Sequence, residues 1–127
     1  MLDQLFQDFF PISEASALKL FSNFERIELK RGEYLIKAGD YSSNLFVIES
    51  GLIRQYAWSK KGEFTQWIGT RNHFVTDLAS FIFDRASIWN FQCISDCTVY
   101  RLSKSDYQRM ESEIVEWNKF EKAFLAK

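Results

Sequence analysis

At 127 residues the chain can build one domain with a packed core and is too short for two. Hydrophobic residues make up 46% and aromatics 17%, including 13 Phe, 4 Trp and 5 Tyr, a composition that excludes disorder. The net charge is −1 and no basic run occurs, which excludes strong nucleic-acid binding by this chain alone, since that affinity rests on Lys and Arg against phosphates.

Residues 3–10 and 13–22 read as short helices separated by Pro11, with Ser13 as N-cap and Glu14 in the first turn. Leu18, Leu20, Phe21 and Phe24 are expected to dock this N-terminal piece on the main body. From Phe24 the period shortens to that of strands. Segments 24–30 and 34–37 flank Arg31-Gly32, and 45–49, 52–59 and 63–69 follow at the turn-to-turn spacing of a sandwich or barrel. The pattern turns helical over 74–83. Strands return at 91–94 and 98–103, joined through Ser95-Asp96. Ser103 then caps a helix over 104–112. A last helix from 113 to the end carries Ile114, Trp117, Phe120, Phe124 and Leu125 as an apolar stripe.

Cys93 and Cys97 are spaced for neither a zinc knuckle nor a redox Cys-x-x-Cys, and are expected as small buried apolar residues. His73 is the only imidazole, so neither a metal centre of several His nor a Ser-His-Asp arrangement can be assembled, and no enzyme activity is expected. No apolar run approaches the roughly 18 residues of a membrane span, and Met1-Leu2-Asp3-Gln4 lacks the basic start of a signal peptide. A cytoplasmic location is the expectation.

Certain residues carry a resemblance. Gly39-Asp40 precede a turn, Leu45-Phe46-Val47-Ile48 lead to Gly51, and Gly62 marks the next hairpin. Asp96-Cys97-Thr98-Val99-Tyr100-Arg101-Leu102-Ser103 then forms a closing strand that exits into helix. Together these resemble the cyclic-nucleotide-binding domain, and more narrowly the sensor half of Crp/Fnr-type bacterial transcription regulators. The fold implied is mainly β with flanking helices. It is a double-stranded β-helix, or jelly-roll-like β-roll, over 24–103, between N-terminal helices in 1–23 and C-terminal helices in 104–127.

The resemblance also implies a site. In that family a short helix inside the roll holds the ligand's cyclic phosphate on backbone N–H groups. A Glu beside a Gly accepts the ribose hydroxyl, and an Arg further along makes a charge-assisted bond to the phosphate. The matching cassette here is Phe74-Val75-Thr76-Asp77-Leu78-Ala79-Ser80-Phe81. Thr76 stands for the Gly, Asp77 for the Glu and Ser87 for the Arg, while Asn72-His73 replaces the usual Gly before the cassette. Candidate ligand-binding residues are Asp77, Leu78, Ala79, Ser80, Arg85, Ser87 and Ile88. Loss of the Arg forfeits roughly 1.5–3 kcal/mol, about one to two decades of affinity for a cyclic phosphate. The effector stays open between cyclic AMP or cyclic GMP, another small anion or apolar compound, and none.

Each candidate has a plainer role. Asp77 can cap a helical turn, and Arg85 can be a solvated loop cation paired with Asp84. Ser80 and Ser87 can satisfy nearby backbone. Trp89 and Phe91 can stack on a base or lie in the core. The stripe Ile114, Trp117, Phe120 and Phe124 is either core cover or, as the resemblance favours, a homodimer seam. The function implied is an effector-sensing regulatory domain that dimerises through its last helix. It would act on DNA through a helix-turn-helix domain that these residues do not supply. The alternative is a ligand-free roll used for dimerisation or docking.

Overall fold

The computed structural model describes Phe10 and residues 12–125. Most of the helix expected over 3–10, and Pro11, lie outside the described residues. The chain divides into two compact units, one from Arg26 to Arg101 and one joining residues up to Glu25 with those from Leu102 onward.

The first unit is the roll. Its strands are β1 (Glu25–Leu29), β2 (Tyr34–Ile36), β3 (Asn44–Ser50), β4 (Ile53–Ser59), β5 (Gly62–Gly69), β6 (Phe74–Val75), β7 (Asn90–Cys93) and β8 (Cys97–Ser103). They form two four-stranded sheets, ordered β1-β8-β3-β6 and β2-β7-β4-β5. The chain changes sheet at most of its connections, which is how a jelly roll closes without a long crossover. In the second sheet β4 is central, pairing Ile53 with Cys93 and Gln55 with Phe91 on one side, and Ser59 with Gly62 on the other.

The core between the sheets holds Ile36, Phe46, Ile48, Ile53, Val75, Phe91 and Val99, with Cys93 and Cys97 among them. Both cysteines are free and buried, as their spacing implies. Burial pushes the Cys93 thiol up to about 12, and the neighbouring Cys97 adds to the shift. Gly51 shows why the β3–β4 turn needs glycine: its φ is +99°, and a Cβ there would lie 2.5 Å from both the Asp96 carbonyl oxygen and Cys97 Sγ.

One segment departs from expectation. Residues 74–83 are not helical throughout. Phe74 and Val75 form β6 and pair with Val47 and Phe46, and only Leu78–Phe83 is helix, α2. Asp77, in extended backbone, caps that helix and fixes its start. In chain order α2 follows α1, which spans Glu14–Phe21 in the other unit.

In that second unit Ser13 caps α1 by accepting the Ser16 N–H at 3.2 Å. Ala17 and Leu20 are buried, whereas Leu18 is 48% exposed and so takes no part in the expected docking face. Ser103 caps α3 (Lys104–Glu113) through the Asp106 N–H. The last helix, α4, spans Trp117–Leu125 and begins later than 113, because Ile114 is extended (φ −109°, ψ 118°) and ends α3. Tyr107 meets Trp117 edge-on with ring centroids 5.0 Å apart, Trp117 stacks on Phe120, and Phe120 stacks on Phe124 and touches Phe10. Ile114, Trp117, Phe120 and Phe124 are therefore buried in this chain. Against the seam favoured from sequence, the stripe is core cover in this chain rather than open surface. The Glu116 carboxylate adds a cap to α1, accepting from the Ser13 N–H at 3.0 Å and the Ser16 hydroxyl at 2.8 Å. The Ser13 bond, reinforced by Ser16, holds the Glu116 acid below its ordinary value.

Candidate functional site

The cassette is reached through a turn that normally asks for glycine. Asn72 takes the left-handed conformation (φ 71°), which Asn tolerates better than most residues, and its N–H bonds the Ile48 carbonyl at 2.8 Å. His73 is exposed and closes the same turn, its Nδ1 accepting the Thr70 N–H at 2.9 Å. It is a turn residue.

Asp77 is the N-cap of α2. One carboxylate oxygen, Oδ1, accepts the Ser80 N–H at 3.2 Å; the other, Oδ2, accepts the Ser87 hydroxyl at 2.7 Å. Ser87 Oγ in turn accepts the Trp89 N–H at 3.1 Å. Ser87, matched from sequence to the Arg of the family it resembles, is thus bonded to Asp77, matched to the Glu, and the two are 3% and 8% exposed. Among the described residues no cation joins them: Arg85 lies exposed on the loop after α2, where Asp84 ends the helix in the left-handed region (φ 53°). Leu78, Ala79 and Ile88 are also exposed, Ile88 at 70%. The structure therefore brings Asp77, Ser80 and Ser87 together and leaves Leu78, Ala79, Arg85 and Ile88 on the surface.

The β2–β3 loop holds this group from one side. The Gly39 N–H donates to the Ser87 carbonyl at 2.7 Å, the Ser87 N–H to the Asp40 carbonyl at 2.8 Å, and Tyr41 bridges Ala86. The Ser42 N–H donates to Ser80 Oγ at 2.6 Å, and the Ala38 N–H to Asn90 Oδ1 at 2.9 Å. Ser42 and Asn90 escaped the sequence reading. Their one signal was a polar residue beside an apolar strand, which is too common to single out. Phe91 is core, while Trp89 is half-buried with its ring centroid 6.4 Å from that of the exposed Phe64.

A second polar group lies on the other face of the β4 sheet, since Arg54, Tyr56 and Trp58 alternate with Ile53, Gln55 and Ala57. Arg54 bonds Glu63 at 2.6 Å and Gln92 Oε1 at 2.9 Å, and sits 3.9 Å over the Tyr56 ring. The Tyr34 and Tyr56 hydroxyls are 2.6 Å apart. Burial, together with that bond, raises the Tyr56 phenol to about 12. Among the described residues no cluster of three or more His, Cys, Asp or Glu is placed to hold a metal ion, and no helix is long and apolar enough to cross a membrane.

Electrostatics decide what the cassette can hold. Two like unit charges about 4 Å apart repel by about 4 kcal/mol at the effective dielectric of a protein surface. A cyclic phosphate beside Asp77 would meet that repulsion with no facing cation among the described residues. Hydrogen-bond donors and apolar groups meet none.

Two crossed-over sheets with a capped helix between β6 and β7 define a β-roll. The profile of the cyclic nucleotide-binding domain family matches residues 26–113, and the chain belongs to that family. Its fold is similar to the catabolite activator protein of Thermus thermophilus, at a TM-score of 0.79 and 20% identity, covering 96% of this chain and 56% of that one. It is similar also to the sensor domain of the transcriptional regulator DNR of Pseudomonas aeruginosa (TM-score 0.74, 19% identity, covering 96% and 78%). A third likeness is to the N-terminal domain of a transcriptional regulator of Streptomyces coelicolor (0.81, 18%, covering 98% and 89%). At such identities the likeness is one of fold. The chain thus spans a little over half the length of the Thermus protein. No curated protein matches it.

Proposed function

We propose that the chain is the effector-sensing domain of a Crp/Fnr-type transcription regulator, and that its effector is not gripped through a cyclic phosphate. The family and the fold support the sensor role. The Asp77–Ser87 bond supports the second part, because it pairs with each other the two residues that the resemblance matches to the ribose and phosphate contacts. The effector class this favours is uncharged and partly apolar, able to rest on Phe64 and Trp89 and to donate a hydrogen bond toward Asp77. Control of DNA would run through a helix-turn-helix domain, since the roll carries a net charge near zero.

Pairing of two copies along the last helix belongs to the same proposal. Because the stripe is packed within its own unit, the surface left for pairing includes Val115, 99% exposed, and Leu125, 45% exposed. A ligand-free roll used for docking is the second reading, and it rests on the same Asp77–Ser87 pair. Thermal shift separates them. Cyclic AMP, cyclic GMP and small anions leave the melting temperature unchanged, while an uncharged apolar compound raises it. Stabilisation by a cyclic nucleotide overturns the ligand assignment. No stabilisation by any member of a broad panel favours the docking role.

A further inference from the structure

A cavity of about 270 Å³ opens against the β2–β3 loop, and none of the residues that line it belongs to the cassette. Leu35, Ile36 and Phe46 are its apolar lining residues, the last two 5% exposed. At its rim stand Lys37 and Asp40, joined by a turn in which the Asp40 N–H bonds the Lys37 carbonyl at 3.0 Å. The two charges are not paired with each other: Lys37 Nζ lies 5.3 Å over the Tyr34 ring. The cavity therefore offers one cation and one anion beside three apolar side chains.

We propose that this cavity is a second ligand site, taking a small zwitterion of the free aliphatic amino-acid class. Its carboxylate faces Lys37, its ammonium faces Asp40, and its side chain covers Leu35, Ile36 and Phe46. The size and chemistry exclude the obvious rivals. A phosphate ester meets Asp40, and a simple amine meets Lys37. Only a molecule with both charges satisfies both rim groups.

The same loop connects this site to the cassette. Ser42 lines the cavity and donates to Ser80, while the Asp40 carbonyl accepts the Ser87 N–H. A ligand that orders residues 37–44 therefore stiffens the backbone that holds the Asp77–Ser87 pair. The coupling does not depend on what the cassette binds.

The test is calorimetric titration of the 127-residue protein with glycine, L-alanine, L-valine and L-leucine. Saturable binding by an aliphatic member is expected, with a Kd of about 1 mM or tighter. L-leucinol lacks the carboxylate and 4-methylpentanoate lacks the ammonium, and each binds at least about tenfold more weakly, equal to about 1.4 kcal/mol. Lys37→Gln and Asp40→Asn are surface changes that leave melting unaltered and each lose about tenfold or more in affinity. Hydrogen exchange at the Gly39, Ser42 and Ser87 amides slows on binding. Absence of saturable heat from all four amino acids, or binding that both variants leave intact, overturns the proposal.

Discussion

The Ser87 hydroxyl donates to the Asp77 carboxylate at 2.7 Å, and both side chains are buried. The resemblance read from sequence matched these two positions to a carboxylate and a cation that hold a ligand. Here they meet each other. The carboxylate also takes the Ser80 N–H, so its charge is spread over donors belonging to the protein. Both carboxylate oxygens are thus engaged by donors of the protein itself, and this makes the pair a stability element.

The pair has a measurable coupling. Ser87→Ala leaves the buried carboxylate short of one donor and lowers unfolding free energy by about 1–3 kcal/mol in urea titration. Asp77→Ala removes the α2 cap as well and costs about 2 kcal/mol or more. Because the residues touch, the double variant is less destabilised than the sum, by about 1 kcal/mol. Strict additivity refutes the bond.

Arg85→Ala is expected to be silent. The side chain is exposed, so stability changes by less than about 0.5 kcal/mol. The thermal-shift response to any anionic or uncharged compound stays as in the parent protein. Loss of a ligand response in this variant places Arg85 in the site after all.

Trp117 makes the strongest case against an open seam. It is 3% exposed and packs edge-on against Tyr107 and face-on against Phe120. Trp117→Glu removes that packing and buries a charge, at about 3–5 kcal/mol, so the protein unfolds rather than giving folded monomers. Val115→Glu, on the exposed surface, keeps the melting temperature. Its effect on size-exclusion elution reports on pairing without that complication. A folded, monomeric Trp117→Glu protein contradicts the packing described here.

These outcomes show how far the residues speak for themselves. Strands such as β4 and β8 were legible because five or more residues repeat a pattern between punctuating turns. β6 was not, since two residues carry no period, and Phe74-Val75 fits a helical stripe equally well. Ser13, Asp77 and Ser103 were legible as caps because capping is local. The Asp77–Ser87 bond was not, because the two lie ten residues apart and only the clamp through Gly39, Asp40 and Ser42 brings them together. From sequence, Ser87 was expected where the family it resembles carries an Arg. That Ser87 bonds Asp77 needed three dimensions.

Gly51 is expected to be among the least tolerant positions in the roll. Gly51→Ala forces a Cβ into the left-handed region and against the Asp96 carbonyl and Cys97 Sγ. The backbone and overpacking penalties together reach about 2 kcal/mol or more. Gly62→Ala shares the positive φ but meets nothing within 4 Å, so only the backbone cost applies, about 1–2 kcal/mol. Equal destabilisation of the two variants in urea titration would contradict the contact at Gly51.

Alkaline titration isolates the Tyr34–Tyr56 bond. The Tyr56 phenol is raised from 10.0 to about 12, first by burial and then by its bond to Tyr34. The native state therefore keeps a proton that the unfolded chain releases, so stability is fully present below pH 10 and is lost as pH rises from 10 through 12. Cys93 acts in the same direction from pH 9 upward, being raised from 9.0 to about 12 chiefly by burial. Tyr56→Phe keeps the ring and removes the titrating group. It costs about 1 kcal/mol at neutral pH, by leaving the Tyr34 hydroxyl without its partner, and flattens the decline in unfolding free energy above pH 10 by up to about one proton. A slope unchanged from the parent protein would show that the Tyr56 phenol titrates as it does in the unfolded chain.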